Sequence, residues 1–229
     1  MVQENRGLRA EAKGPASALD ARWETAVFGM GCFWSPEALF GQLPGVMRTR
    51  TGYAGGTAEA PSYHQMGDHT ETVRVDFDPS IIRYEQLLNL FWDHHNPANI
   101  NGYKGRQYLS LLLPRSGEQR EAIRRVARER QERGDERPAG TETADFRAFY
   151  PAEERHQKYY LKRFPDALDK LRGLCPFQEA LMDSALAARL NGLAKGYTSM
   201  ERIVGEIQGW KLPDGEKEQL IKVLRSIRW

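Results

Sequence analysis

The chain reads as an α/β domain followed by a helical C-terminal extension. Residues Thr70 to Phe77 alternate, with Val73, Val75 and Phe77 on one face and Thr72, Arg74 and Asp76 on the other, the period-two pattern of a half-buried strand. Tyr84 to His94 instead carries Leu87, Leu88, Phe91 and Trp92 at helical spacing. Strand and helix patterns alternate in this way through about residue 165, whereas from about Pro176 onward only helix-period patterns occur.

Each element has a local cause. Residues 1–22, with Glu4, Glu11, Lys13 and Pro15, lack an apolar run and read as a flexible leader. Thr25 to Met30 is a short apolar, β-branched run ending at Gly31, which predicts a buried strand. Ser35-Pro36-Glu37 starts a helix, because proline in a first turn has no hydrogen bond to lose. Val46 to Tyr53 is a second strand, closed by the turn-forming Gly55-Gly56. Asp78-Pro79 stops the strand at Phe77, and Asn96-Pro97 stops the helix at His94. Gln107 to Leu113 predicts another strand, and residues 116 to 133 a strongly charged helix. In the tail, Leu181, Leu186, Leu190 and Leu193, then Met200, Ile203, Val204 and Ile207, predict short helices broken near Gly196 and Pro213. The resulting boundaries are a leader over 1–22, a main domain over 23–172 and a helical extension over 173–229.

Composition narrows the function. The 33 basic and 31 acidic side chains leave a net charge of +2, too little surplus to hold a nucleic acid by counterion release. No apolar run reaches the length of a membrane span, and no secretory signal is visible, so a cytoplasmic location is expected. The 229 residues contain only two cysteines, Cys32 and Cys175, and a chain of that size needs no disulfide to fold. Such a pair in a reducing compartment is reactive or buried more often than structural.

Cys32 follows the Gly31 turn and stands at or just before a helix N-terminus, where unpaired N–H groups and the helix dipole stabilise a thiolate. Phe33 and Trp34 beside it could wall an apolar pocket. A buried cysteine packed between core aromatics is the alternative on residue type alone. His64, His94 and His95 lack the companions of a tetrahedral metal site, and no metal is expected. His69 reads as a hydrogen-bonded structural residue rather than a base for the thiol.

Gly31-Cys32-Phe33-Trp34 with Glu37 resembles the signature of the A-type peptide methionine sulfoxide reductases. An ordered series follows: Gly52-Tyr53-Ala54-Gly55-Gly56, Pro61-Ser62-Tyr63, Asp68-His69-Thr70-Glu71, Phe77-Asp78-Pro79, Phe91-Trp92 and His95-Asn96-Pro97. Gln107-Tyr108, then Phe149-Tyr150-Pro151-Ala152-Glu153 with His156-Gln157, complete it, so the resemblance spans roughly residues 24 to 165. It implies a two-layer α/β sandwich around a mixed sheet, and reduction of the S-epimer of methionine sulfoxide with no cofactor.

Carried over by position, the resemblance makes Cys32 the nucleophile that takes the sulfoxide oxygen as a sulfenic acid. Phe33 and Trp34 receive the substrate methyl group, Glu71 is the proton donor, and Tyr63 and Tyr108 hold the sulfoxide oxygen or its leaving water. Without the resemblance, Glu71 reads equally as a surface glutamate early in a strand, and the two tyrosines as ordinary half-buried residues. The ungapped match puts Tyr103 where the family usually carries an aspartate that helps bind substrate water, and Asn96 where an aspartate commonly precedes Pro97. Cys175 corresponds by role alone to a resolving cysteine, whose disulfide with Cys32 thioredoxin would reduce; the alternative is a small apolar residue packed at the start of the tail. A rival function is an oxidation-sensing or methionine-sulfoxide-binding protein with little or no turnover.

Overall fold

In the computed structural model the described residues are 23–100, 102, 105–174 and 178–229, without the side chains of Gln178 and Glu179. The apolar, β-branched runs pair into a mixed six-stranded sheet: β1 (Glu24–Met30), β2 (Val46–Ala54), β3 (Thr70–Phe77), β4 (Ser110–Leu112), β5 (Glu142–Thr143) and β6 (Phe149–Pro151). Their order is β5-β4-β1-β3-β2-β6, antiparallel throughout except for the β4–β5 pair. The helices are α1 (Trp34–Gly41), α2 (Tyr84–Asp93), α3 (Gly117–Glu132), α4 (Pro165–Arg172), α5 (Gln178–Met182), α6 (Ala185–Lys195), α7 (Met200–Gln208) and α8 (Asp214–Ser226). Among the described residues, no helix is long and apolar enough to cross a membrane.

The main core lies between one face of the sheet and α1–α3. Ala26 and Phe28 of β1 and Val73, Val75 and Phe77 of β3 meet Phe40, Leu87, Leu88, Phe91, Ile123 and Val126 from the helices. On the opposite face Val27, Ala54, Leu111 and Leu113 are covered by Phe149, with Leu109 and Phe146 packed alongside. The α/β sandwich around a mixed sheet is therefore observed.

The structure departs from the expected elements in two places. The alternation in β3 predicts a half-buried strand, yet both of its faces are covered and only Arg74 is partly open. Its polar residues are buried because each finds partners. Thr72 Oγ1 donates to the Gly52 carbonyl, and Asp76 accepts from Thr25 Oγ1 and from the Arg48 and Arg74 guanidinium groups. Burial opposes the Asp76 charge, but the two arginines prevail and lower its pKa. The strand expected over Gln107 to Leu113 begins instead with a single 3-10 turn, Arg106–Tyr108, and only Ser110–Leu112 pairs in the sheet. That turn is what points Gln107 inward.

A second core joins Leu161, Ala167 and Leu171 to Leu181, Leu190, Ile203, Ile207, Ile221 and Leu224. It therefore draws on residues upstream of 173, including all the apolar positions of α4. The extension is fastened to the sheet domain by close approach of α6 to α1. An added Cβ on Gly41 would lie 2.8 Å from the Ala188 carbonyl oxygen, and one on Gly192 would lie 2.5 Å from Gln42 Cβ. Arg189, buried in this seam, donates from Nη1 to the Gly41 carbonyl at 2.6 Å and pairs through Nε and Nη2 with Glu206. A carbonyl at the end of α1 that lacks an intrahelical partner is satisfied in this way.

Candidate active site

The end of β1 turns sharply at Gly31, whose φ of 77° is open to glycine without strain. Cys32 follows, half-buried, and Phe33 begins α1 as its N-cap. A phenylalanine side chain cannot cap, so the exposed amides at this helix end find acceptors elsewhere. The Phe33 N–H donates to Glu71 Oε2 at 3.1 Å, and the Trp34 amide hydrogen-bonds the Cys32 sulfur. Glu71 lies on β3 opposite Tyr53, with 1% exposure, and its Oε1 accepts from Gln107 Nε2 at 2.7 Å.

The electrostatics follow from this burial. The helix end alone predicts a stabilised thiolate at Cys32. Desolvation outweighs the Trp34 amide, the Glu71 charge adds to it, and the Cys32 thiol is pushed up to about 11 from an ordinary 9.0. The resting thiol therefore keeps its proton at neutral pH, a departure from the expectation for a helix N-terminus. Burial raises the pKa of Glu71 as well, against the opposing hydrogen bonds of Gln107 and the Phe33 amide. That is the direction a proton donor needs.

The aromatic surroundings come from segments far apart in sequence. Phe33 is 1% exposed and packs against Tyr53 and His156, with ring centroids 6.0 and 5.3 Å away. Trp34 is half-buried, stacks on Tyr159 with centroids 3.8 Å apart and planes 3° off parallel, and donates from Nε1 to His156 Nδ1 at 3.3 Å. Tyr63 is half-buried with its ring 4.8 Å from His156. Tyr108 is half-buried on the same 3-10 turn as Gln107.

The segment from Glu153 to Tyr160 straps these parts together. Glu153 accepts from the Tyr53 hydroxyl at 2.7 Å and from the Tyr63 amide at 3.0 Å. Burial works against its charge, yet these two donors prevail and its pKa is lowered. Burial in turn raises the Tyr53 hydroxyl, and the bond to Glu153 raises it further. The Ser35 and Tyr160 hydroxyls bond at 2.8 Å, and the Gln157 side chain bridges Thr51 and Ala152.

The structure thus brings together Cys32, Phe33, Trp34, Glu71, Tyr63 and the Gln107-Tyr108 turn, as the sequence suggested. Tyr103 and Cys175 lie outside the described residues. Gln107, Tyr53, Glu153, His156 and Tyr159 join the site without having been assigned a part in it. For all but Tyr159 the signal was present in the motifs Gly52-Tyr53, Gln107-Tyr108 and Glu153 with His156-Gln157, but a residue that supports another has no signature of its own in a single sequence. His69 is structural, as expected: its Nδ1 accepts from the Gly56 amide and its Nε2 bonds the Ala58 carbonyl. Among the described residues, no three His, Cys, Asp or Glu side chains cluster to hold a metal ion.

A half-buried thiol whose helix end also holds a buried carboxyl group, with His69 and His156 committed to backbone and indole bonds, has the layout of an acid-assisted thiol enzyme rather than a Cys-His hydrolase. Residues 24–180 match the family of peptide methionine sulfoxide reductases. The peptide methionine sulfoxide reductase of Drosophila melanogaster is 39% identical over 204 residues, covering 89% of this chain and 81% of the relative. Peptide methionine sulfoxide reductase A5 of Oryza sativa subsp. japonica is 43% identical over 194 residues, covering 83% and 74%. Among solved structures, reduced Mxr1 from Saccharomyces cerevisiae superposes with a TM-score of 0.55 at 26% identity, covering 62% of this chain and 86% of that one. Methionine sulfoxide reductase A of Corynebacterium diphtheriae does so with a TM-score of 0.50 at 26% identity, covering 70% and 90%. The chain belongs to the peptide methionine sulfoxide reductase family, and is an oxidoreductase acting on methionine sulfoxide.

Proposed function

We propose that Cys32 attacks the sulfur of the S-epimer of methionine sulfoxide, free or in a peptide, while Glu71 gives a proton to the departing oxygen. The observation that carries this assignment is the shared helix end, where the Phe33 amide holds Glu71 next to Cys32. The sulfur–oxygen bond of the substrate breaks, a sulfur–oxygen bond to Cys32 forms, and methionine leaves with its sulfur reduced by two electrons. The thiol proton of Cys32 restores Glu71, so the products are a sulfenic acid and methionine with every atom balanced. Burial pushes the Cys32 thiol up to about 11 and moves Glu71 upward as well, the direction that favours proton donation by both groups.

Trp34, Phe33 and Tyr63 provide the apolar and hydroxyl surfaces for the methyl group and oxygen, with Tyr108 on the polar side; Tyr103, outside the described residues, is assigned to substrate binding by the resemblance alone. Cys175 then attacks the sulfenic acid, releasing water and forming a Cys32–Cys175 disulfide, which thioredoxin reduces. A reducing cytoplasmic setting suits a chain with two cysteines and this chemistry. Intact-mass analysis after one equivalent of methionine S-sulfoxide tests the scheme: loss of two hydrogens reports the disulfide. Gain of one oxygen reports an unresolved sulfenic acid and removes Cys175 from the scheme. Cys32→Ser is expected to be inactive, and turnover by that variant with dithiothreitol would overturn the nucleophile assignment.

A further inference from the structure

Beneath the strap lies an ion pair that the reaction does not use. Lys158 is 1% exposed and Glu37, on α1, has no exposure. The Lys158 ammonium donates to Glu37 Oε1 at 2.8 Å and to the Thr49 carbonyl at 2.7 Å, and the Lys158 amide donates to Glu37 Oε2 at 2.8 Å. Its backbone is left-handed, with φ of 50°, a conformation that L side chains adopt at a cost. That turn sends Lys158 under the strap while its neighbours His156 and Tyr159 stay against Trp34. One short segment thus grips the nucleophile's helix from below and walls its pocket from above.

A buried ion pair is weak grounds for stability, because apolar replacements of similar volume are often neutral or stabilising. Its placement at a left-handed backbone position fits a geometric task better. We infer that Lys158 is a positioning residue for sulfoxide binding: its lock on Glu37 fixes the Trp34–His156–Tyr159 wall relative to Cys32. The inference rests on the proposed reaction at Cys32, and deepens it by naming what sets substrate affinity.

The test compares wild type, Lys158→Met and the neutral pair Glu37→Gln with Lys158→Met. The single variant strands a buried carboxylate and is expected to lower the Tm, whereas the double variant removes both charges and recovers it. If Lys158 positions the wall, the double variant raises KM for methionine S-sulfoxide by about tenfold with kcat little changed, the mark of lost uniform binding. Peptide-resolved alkylation of Cys32 by iodoacetamide should also be several times faster, because a loosened Trp34–His156–Tyr159 wall beside the thiol admits the reagent more readily. A double variant with wild-type KM and a wild-type alkylation rate would overturn the inference, and so would a folded Lys158→Met that loses Tm alone. Should the single variant not fold, the double variant decides. A wild-type chain without sulfoxide turnover would count against the reaction instead, and the alkylation rate would still judge the lock.

Discussion

Two acids share the N-terminal end of α1, with Glu71 on the Phe33 amide and Cys32 on that of Trp34. Helix ends favour anions by a few tenths of a kcal/mol to about 2 kcal/mol, and here that is less than the desolvation of the thiol. The Cys32 pKa consequently lies above the ordinary thiol value, so the thiolate fraction, and with it the rate of alkylation, climbs with pH toward a midpoint near 11. Glu71 contributes by its negative charge, which makes a second anion beside it less favourable. Glu71→Gln removes that charge and is expected to shift the Cys32 midpoint downward, measured as the pH dependence of iodoacetamide labelling resolved to the Cys32 peptide. Sulfoxide turnover should fall at the same time, because glutamine cannot supply the proton that the proposed reaction takes from Glu71. An unmoved or raised midpoint in this variant would show that Glu71 does not act on Cys32 by charge.

At the scale of elements, the seam between α1 and α6 sets helix propensity against packing. Glycine costs about 1 kcal/mol relative to alanine inside a helix, and both Gly192 in α6 and Gly205 in α7 are interior positions. At Gly205 nothing lies within 4 Å of an added Cβ, so Gly205→Ala should raise stability by about 0.5–1 kcal/mol. At Gly192 the new methyl would sit 2.5 Å from Gln42 Cβ and 3.0 Å from the Ala38 carbonyl oxygen, neither of which can swing away freely. Overpacking typically costs about 1–3 kcal/mol, which exceeds the propensity gain, so Gly192→Ala should lower the Tm while Gly205→Ala raises it. Parallel thermal melts by circular dichroism read the two signs, and a stabilised Gly192→Ala would show the seam to be looser than this geometry. The longer regular elements were legible because period and turn chemistry are local: β1, β2, β3, α2 and α3 fall within a residue or two of their expected limits. The short strands β5 and β6 were not, since two or three residues carry no period and owe their pairing to neighbours distant in sequence. The strap was missed for the same reason, although its motif was visible, and with it the parts played by Glu153, His156 and Lys158. Burial was the other blind spot: alternation marked the polar face of β3 as open to water, while arginines from β2 and β3 cover Asp76.

On the scale of the whole molecule, the question is whether the helical extension is an appendage or part of one cooperative unit. Helical period distinguished it from the sheet domain but could not show what its apolar stripes face. In the structure those stripes meet Leu161, Ala167 and Leu171, each with no exposure, so the second core straddles residue 173. Further ties cross the same boundary: Arg50 pairs with Asp183, Asp166 accepts from the Arg228 amide, and the Leu161 amide donates to Asn191. Arg189 adds the bond that satisfies the end of α1. Ending the chain at residue 172 would return Leu161 and Leu171 to water at about 1.5–3 kcal/mol each. It would also open the α1 face now covered by α6, against a total stability of about 5–15 kcal/mol for a domain. The truncated chain 23–172 is therefore expected to lose its cooperative thermal transition, or to aggregate, and to lose sulfoxide turnover with dithiothreitol as reductant. Using dithiothreitol matters, because a small thiol does not depend on the resolving role proposed for Cys175, and loss of activity then reports the lost support of α1 rather than the absence of that cysteine. A truncated chain that melts cooperatively near the full-length Tm and still turns over would make the extension a separable module, with the α1–α6 seam adding little to the Cys32 site.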